Sequence, residues 1–594
     1  MSEHDPSNDA ATDNNKASPT PFLSRLFPII GWLPAYQTAW LWSDLVAGFT
    51  LAAYAIPVAM AYSSLAGLAP QVGLYCYIFS GIAYVPFATS RHLAIGPTAA
   101  ISVMVASVVG AMAGGDPALY ASIAAMTAAL VGIIYILAWV MRLNSFVNFI
   151  SETILLGFKA GAALSIASTQ LPKLFGIPVN GDNFFERITS LVQQLGNTNP
   201  AIFMLGASAL LLLLAGERLF PGRPVALVVV ALSTWAVLFF DLTGYGIRVV
   251  GQIPAGLPTF GLPSIGPQHI EGLLELAFAC FLLSYVESIA AARTFALKHR
   301  YSIDPRQELL GLGSANLAAA LGHGFPVGGG LSQSAVNENS GAKSPLSLVF
   351  ASITLVMALF FLTGHLRNLP ETVLAAIVLV AVAGFVKTAD FKNLWSISRI
   401  EFYVALVAFL GVLSLGILKG VTVSAIASIL LLLRLMARPH VAVLGRIPGT
   451  SKFSDAMRHT KNERFPGLFL FRIEAPLLYF NVENINAMVM EYISMEETPV
   501  KLAICDLSTS PYVDVAGARM LARLHDEMER EGIDFRVAEA HAEVREILRT
   551  TGISECLGGV SRYSSLADQV EDFERSGTAR VDRLKVDLPI LEEQ

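Results

Sequence analysis

The chain has 594 residues, a mean hydropathy of +0.58, 54% hydrophobic and 14% charged residues, and a formal net charge of −6. A composition this apolar, at this length, belongs to a polytopic membrane protein, and the small net charge argues against nucleic-acid binding. The four cysteines (Cys76, Cys280, Cys505, Cys556) show no CxxC or metal-ligand spacing and read as packed thiols.

Residues 1–20 are polar, and a disordered tail is expected there, without the basic and apolar regions of a signal peptide. Trp32, Tyr36, Trp40 and Trp42, set among prolines, predict an interfacial segment over 21–43. The first span is expected at about 44–62, roughly 28 Å at ~1.5 Å per residue and long enough to cross. Six further apolar runs follow, near 70–88, 93–112, 118–141, 147–170, 200–215 and 224–240. Within the third, Gly96-Pro97 interrupts the pattern, and proline tolerated in a first helical turn suggests a helix starting near mid-membrane. In the fifth, Lys159 is an oddity: it either snorkels toward the cytoplasm, with Glu152 two turns earlier, or serves function.

A second set of seven runs falls near 270–292, 306–322, 328–340, 345–363, 371–387, 401–417 and 419–437. Glu287 lies deep in the eighth span, where an acid is expensive and marks an ion pathway by default, and Ser284 shares its helical face. The alternatives are a permanent salt bridge or a proton held as a donor to the tenth span. His323, before the tenth span, reads as a helix-end residue.

The tenth span opens with Gly328-Gly329-Gly330, a poor helix interior. Irregular backbone at membrane depth must be buried in protein or line a wet cavity. A helix beginning at Leu331, with Ser332 and Ser334 as candidate caps, would point free N–H groups and partial positive charge into that cavity. Paired with the Gly96-Pro97 break, it makes an anion seat without a buried Lys or Arg. A glycine-smoothed packing surface is the alternative.

With the N-terminus inside, the outer connections carry only Lys173, Arg187, Arg248, Arg367 and Lys419, while the basic residues from Arg91 to Arg438 concentrate inside. This places both termini in the cytoplasm. An odd number of spans per half makes the halves, about 44–240 and 270–437, an inverted repeat. After the transport domain (21–438), a linker is expected at 439–461. Alternating strand and helix patterns then predict a small α/β domain over 462–575, with a tail at 576–594. Asp506 and Asp514 there read as turn and capping residues rather than metal ligands. No P-loop or catalytic constellation is found, so the expectation is a secondary transporter, not an enzyme, with no cofactor.

Ala47-Gly48, Ile56-Pro57, Ala59-Met60-Ala61-Tyr62, Thr89-Ser90-Arg91-His92, Ile95-Gly96-Pro97, Asp304-Pro305, Gln307-Glu308-Leu309 and Phe325-Pro326 occur in order. Together they resemble the sulfate permease (SulP) family of anion transporters. The tail resembles a STAS domain, with Asp514-Val515-Ala516-Gly517 on that fold's Asp-x-x-Gly turn. The resemblance implies fourteen spans in core and gate domains, elevator-like alternating access, a cytoplasmic STAS domain and a homodimer in the cell inner (plasma) membrane. It carries the anion site onto Tyr62, Thr98, Ala99, Gly329, Gly330, Leu331, Ser332 and Gln333, and a coupling acid onto Glu287. Two positions depart from the family: Val58, where glutamine is frequent, and Gln333, where many members have arginine. In the STAS turn, Val515 and Ala516 lack the hydroxyl that regulatory relatives phosphorylate. The expected function is proton-coupled symport of an oxyanion, sulfate first. A sodium-coupled bicarbonate or proton-coupled dicarboxylate symporter, an uncoupled exchanger or channel, and a membrane-anchored STAS scaffold are the other readings.

Overall fold

The structure, a computed structural model, describes residues 23, 26–143, 152–179, 181, 183–220, 224–254, 256–261, 263, 270–557, 559–563 and 565–575. The tails expected at 1–20 and 576–594 lie outside them.

A helix lies on each stretch read as a span: α1 (Thr38–Leu65), α2 (Pro70–Tyr84), α3 (Ala99–Ala113), α4 (Pro117–Val140), α5 (Glu152–Phe175), α6 (Pro200–Leu219), α7 (Val225–Phe239), α8 (Ile270–Lys298), α9 (Pro305–Leu321), α10 (Leu331–Asn339), α11 (Leu346–Phe361), α12 (Glu371–Ala383), α13 (Arg399–Leu415) and α14 (Ile417–Ala437). By length and composition, six helical segments of the described chain can cross a membrane. The third and tenth stretches are not continuous helices. Each begins as a two-residue strand, β1 (Ile95–Gly96) and β2 (Gly328–Gly329), and only then turns helical.

Helix packing repeats between the halves. α1 packs on α11 as α8 packs on α4, α2 on α11 as α9 on α4, and α5 on α13 as α12 on α6. α3 meets α8 as α10 meets α1. Each pairing becomes the other when both partners move seven helices along. The equivalent strands β1 and β2 pair antiparallel, Ile95 opposite Gly329 and Gly96 opposite Gly328, so the halves run in opposite senses where they meet.

Small residues set the closest approaches. A Cβ on Gly73 would stand 2.1 Å from the Ala59 carbonyl oxygen, and one on Gly157 2.0 Å from that of Ala405. Either side chain would force apart a helix pair, α1–α2 or α5–α13.

The chain divides at Ser428/Ile429 into two compact units. The second contains a five-stranded sheet in the order β4-β3-β5-β6-β7, with β3 (Val441–Arg446), β4 (Phe453–Asp455), β5 (Leu468–Ile473), β6 (Leu502–Asp506) and β7 (Asp534–Ala538). The stretch 439–461 is therefore not a linker: β3 and β4 join the sheet, antiparallel to their neighbours, while β5, β6 and β7 are parallel. The strand period of two separates the cores. Val441, Val443, Phe469, Phe471, Ala503 and Cys505 face α15 (Val482–Ser494), α16 (Val515–Arg530) and α17 (Ala542–Thr550). Ala442, Leu444, Leu468, Leu470, Leu502 and Ile504 face Leu566, Val570 and Phe573 of α18 (Leu566–Arg575), a helix the sequence pattern did not announce.

Asp514 caps α16, its carboxylate accepting from the Gly517 N–H at 2.7 Å, and Asp506 accepts from Arg472 at 2.7 Å and from the Ser508 N–H at 2.8 Å. Both are in turn and pairing roles. Cys76, Cys280 and Cys505 are buried, but Cys556 is exposed, contrary to its reading as a packed thiol.

Candidate anion site

The glycine break is held by side chains, which answers how irregular backbone survives at this depth. The Val327 N–H donates to Asn316 Oδ1 at 2.9 Å, and the Val327 carbonyl accepts from Asn316 Nδ2 (3.1 Å) and Ser284 Oγ (2.9 Å). The Gly329 N–H donates to Ser288 Oγ at 2.7 Å. Upstream, the Phe325 N–H donates to Cys76 Sγ at 3.2 Å. Ser284 thus braces the break from α8, and Glu287 is left to border open space.

Both helices that leave the paired strands begin without a capping side chain. Thr98, not Pro97, is the N-cap of α3 (φ −121°, ψ 152°), and Pro97 stands before the cap rather than in the first turn. Gly330 is the N-cap of α10 (φ −86°, ψ 140°), so Ser332 and Ser334 lie inside the helix and cap nothing. Ser334 instead links the strands: its Oγ donates to the Gly330 carbonyl at 2.7 Å and accepts from the Ala94 N–H at 2.9 Å. With no capping oxygen, the first-turn N–H donors of α3 and α10 stay available, and both helix dipoles place positive charge at one point.

That point borders a cavity of about 540 Å³. Of the residues singled out in the sequence, Tyr62, Thr98, Ala99, Gly330, Leu331, Ser332, Gln333 and Glu287 line it, and Gly329 lies behind them in β2. Thr98 Oγ1 is buried without a hydrogen-bond partner of ordinary geometry. Gln333 borders the cavity, but its amide is committed: Nε2 donates to the carbonyls of Ala94 (3.0 Å) and Gly328 (3.1 Å), and Oε1 accepts from Tyr77 Oη. It locks the antiparallel strands together.

Sequence reasoning had not placed Tyr54, Lys387, Asp390 and Asn393 on this cavity, and had left Lys159 open; all five line it. Lys387 and Asp390 form a loose pair at 3.9 Å, with side chains 62% and 53% exposed, and contribute little energetically.

Two further buried carboxylates hold the approaches to the site. Glu308, fully buried, accepts from the N–H groups of Thr89 and Ser90 (2.9 Å each) and from Tyr84 Oη (2.6 Å). Asp44, equally buried, accepts from the N–H groups of Lys343 (2.6 Å) and Ser344 (3.1 Å) and from Ser344 Oγ (2.6 Å). One fixes the loop entering β1 and the other the loop leaving α10. In the sequence Glu308 reads as an ordinary first-turn acid beside Asp304, Arg306 and Gln307, so its burial is not signalled as that of Glu287 is. His323 ends α9 with φ 52°, the turn role expected of it.

Residues 41–408 match the sulfate permease family, and residues 459–569 match the STAS domain. The chain belongs to the sulfate permease family. A Mycobacterium tuberculosis (strain H37Rv) protein named as a probable sulfate transporter is 33% identical over 551 residues, 92% of this chain and 98% of the relative. The chloroplastic sulfate transporter 4.1 of Arabidopsis thaliana is 29% identical over 573 residues, 93% of this chain and 83% of that one. Among solved structures, the murine solute carrier 26 family member A9 anion transporter, in its inward-facing state, has the same fold, with a TM-score of 0.86 and 23% identity over 96% of this chain and 97% of that one. The transmembrane domain of the cyanobacterial bicarbonate transporter BicA matches 66% of this chain and 98% of its own, with a TM-score of 0.57 and 22% identity. This sulfate permease family member is thus a multi-pass membrane protein that transports anions, and not an enzyme.

Proposed function

We propose that the chain is a secondary active symporter of an oxyanion, sulfate first, coupled to protons and working by elevator-like alternating access. The observation that carries this reading is that Glu287 shares one cavity with Thr98 and Ser332, at the two uncapped helix starts. The anion is received by the first-turn N–H groups of α3 and α10 and by the Thr98 and Ser332 hydroxyls. A charged Glu287 beside it repels it; for unit charges about 5 Å apart at an effective dielectric of ~20 the repulsion is roughly 3 kcal/mol. Protonating Glu287 removes that term, so proton and anion bind cooperatively. In the elevator reading, α1–α4 with α8–α11 form the core that carries the site, and α5–α7 with α12–α14 the gate.

Protons are preferred to sodium because a sodium ion needs several oxygen ligands. The nearest hydroxyls on α8, Ser284 and Ser288, already brace the break, and the residue one turn beyond Glu287 is Ala291. Sulfate is placed first because relatives across most of the chain's length bear that name. We further assign the protein to the inner (plasma) membrane as a homodimer with both termini cytoplasmic.

The test is uptake of radiolabelled sulfate, bicarbonate, succinate and chloride into proteoliposomes of the full chain, with an inward proton gradient, with and without sodium. Sulfate uptake stimulated by external acid and indifferent to sodium is expected. Chloride alone as substrate, or an absolute sodium requirement, would overturn the assignment.

A further inference from the structure

The cavity borders four charges: Lys159 and Lys387, Glu287 and Asp390. With all four ionised they sum to zero, and Lys387 and Asp390 pair with each other at 3.9 Å. That leaves Lys159, on α5, and Glu287, on α8, as the pair whose balance decides the charge an entering anion meets. Lys159 acts electrostatically on Glu287, yet the two make no ion pair within 4.0 Å among the described residues. The other titratable groups facing the space are Tyr54 and Tyr62 on α1. At position 333, on α10, the side chain is neutral and its amide is spent on the strand carbonyls.

We propose that Lys159 is the fixed cation of the anion site, balanced by Glu287 while that carboxylate is charged and by the anion once Glu287 is protonated. The inference rests on the reading that the anion sits at the starts of α3 and α10 beside Glu287. It adds that this charge comes from the helix group across the cavity. α5 packs mainly on α12 and α13, with a smaller contact to α3, whereas α8 packs on α3, α4 and α10. An anion bound to both therefore bridges the two groups, and its divalent charge strengthens the bridge. A lysine serving only to neutralise Glu287 would do none of this.

Equilibrium binding of radiolabelled sulfate to the purified full chain in detergent separates the two roles. Lys159→Met should weaken binding about tenfold or more, and Lys159→Arg should stay within about threefold of wild type. Competition by monovalent nitrate should change less than sulfate binding does. The weakening should persist in Lys159→Met/Glu287→Gln, where no carboxylate remains to be neutralised. If the double variant binds sulfate as well as Glu287→Gln alone, or Lys159→Met binds like wild type, Lys159 is not a ligand charge and the inference fails. Ser332→Phe is the control for the underlying site: wild-type sulfate binding in that variant would refute the site itself. Loss of binding in Ser332→Phe with no change in Lys159→Met would refute the lysine's role alone. Thermal unfolding and gel filtration report on folding, and Lys159→Gln carries the same comparison if Lys159→Met does not fold.

Discussion

Asn316 makes the sharpest prediction about how the break is held. It is fully buried, and its amide exchanges two hydrogen bonds with Val327, at 2.9 and 3.1 Å, besides donating to the Leu312 carbonyl at 2.9 Å. Asn316→Leu keeps most of the side-chain volume and removes all three. The Val327 carbonyl retains Ser284 Oγ, and Leu312 retains the helix. The Val327 N–H is the group left with nothing, in a place water does not reach. An unsatisfied buried donor costs about 1–3 kcal/mol, so the variant should be less stable by that amount. In Ser284→Ala the Val327 carbonyl keeps Asn316 and the Val327 N–H stays bonded. The buried Tyr135 hydroxyl loses its 2.9 Å acceptor, so that variant is destabilised at Tyr135 rather than at the break. Both can be read from thermal unfolding in detergent, using a thiol-reactive dye that reports exposure of Cys76 and Cys280 in a Cys505→Ala/Cys556→Ser background. Amide exchange at Val327 should quicken in Asn316→Leu and not in Ser284→Ala. Equal stability of Asn316→Leu and wild type, or exchange at Val327 no faster in Asn316→Leu than in Ser284→Ala, would refute this account of the break.

Gly96→Ala places a Cβ 2.4 Å from the Tyr77 ring, whose hydroxyl anchors Gln333; the variant should extract as a folded protein but lose sulfate uptake about tenfold or more, and uptake within twofold of wild type would contradict it. In the STAS domain, Arg446 donates to Glu574 at 2.9 and 3.1 Å and to Glu463 at 3.2 Å, and these pairs together draw its guanidinium pKa above the usual range. Arg446→Ala should therefore free α18 and cost the domain about 1–3 kcal/mol, seen as faster amide exchange over 566–575 with exchange in β5 and β6 less affected.

Much of this architecture is legible in the sequence because membrane burial simplifies the code. Apolar length marks the helices, and Gly328–Gly330 and Gly96-Pro97 stand out because nothing else explains breaks at that depth. Glu287 is conspicuous for the same reason. What the sequence leaves hidden are partners distant in the chain. Nothing local to Gln333 shows that its amide will be consumed by Ala94, Gly328 and Tyr77, so it reads as a ligand. Pro97 reads as a first-turn proline because the pairing of Ile95 with Gly329, which keeps the chain extended one residue further, joins segments over two hundred residues apart. The run Val441–Leu444 lies just past Arg438-Pro439-His440, and four consecutive apolar residues have no period that tells a strand from a linker. Lys159 is ambiguous until α5 is seen to border the same space as α3, α8 and α10.

The central claim is that protonation of Glu287 is what couples the anion to a driving force. It is tested most directly by sulfate accumulation in proteoliposomes under an inward proton gradient, comparing wild type with Glu287→Gln, with sulfate–sulfate exchange measured in the same vesicles. The account predicts that wild type concentrates sulfate, and that Glu287→Gln exchanges sulfate but no longer concentrates it. Accumulation that persists unchanged in Glu287→Gln would contradict it.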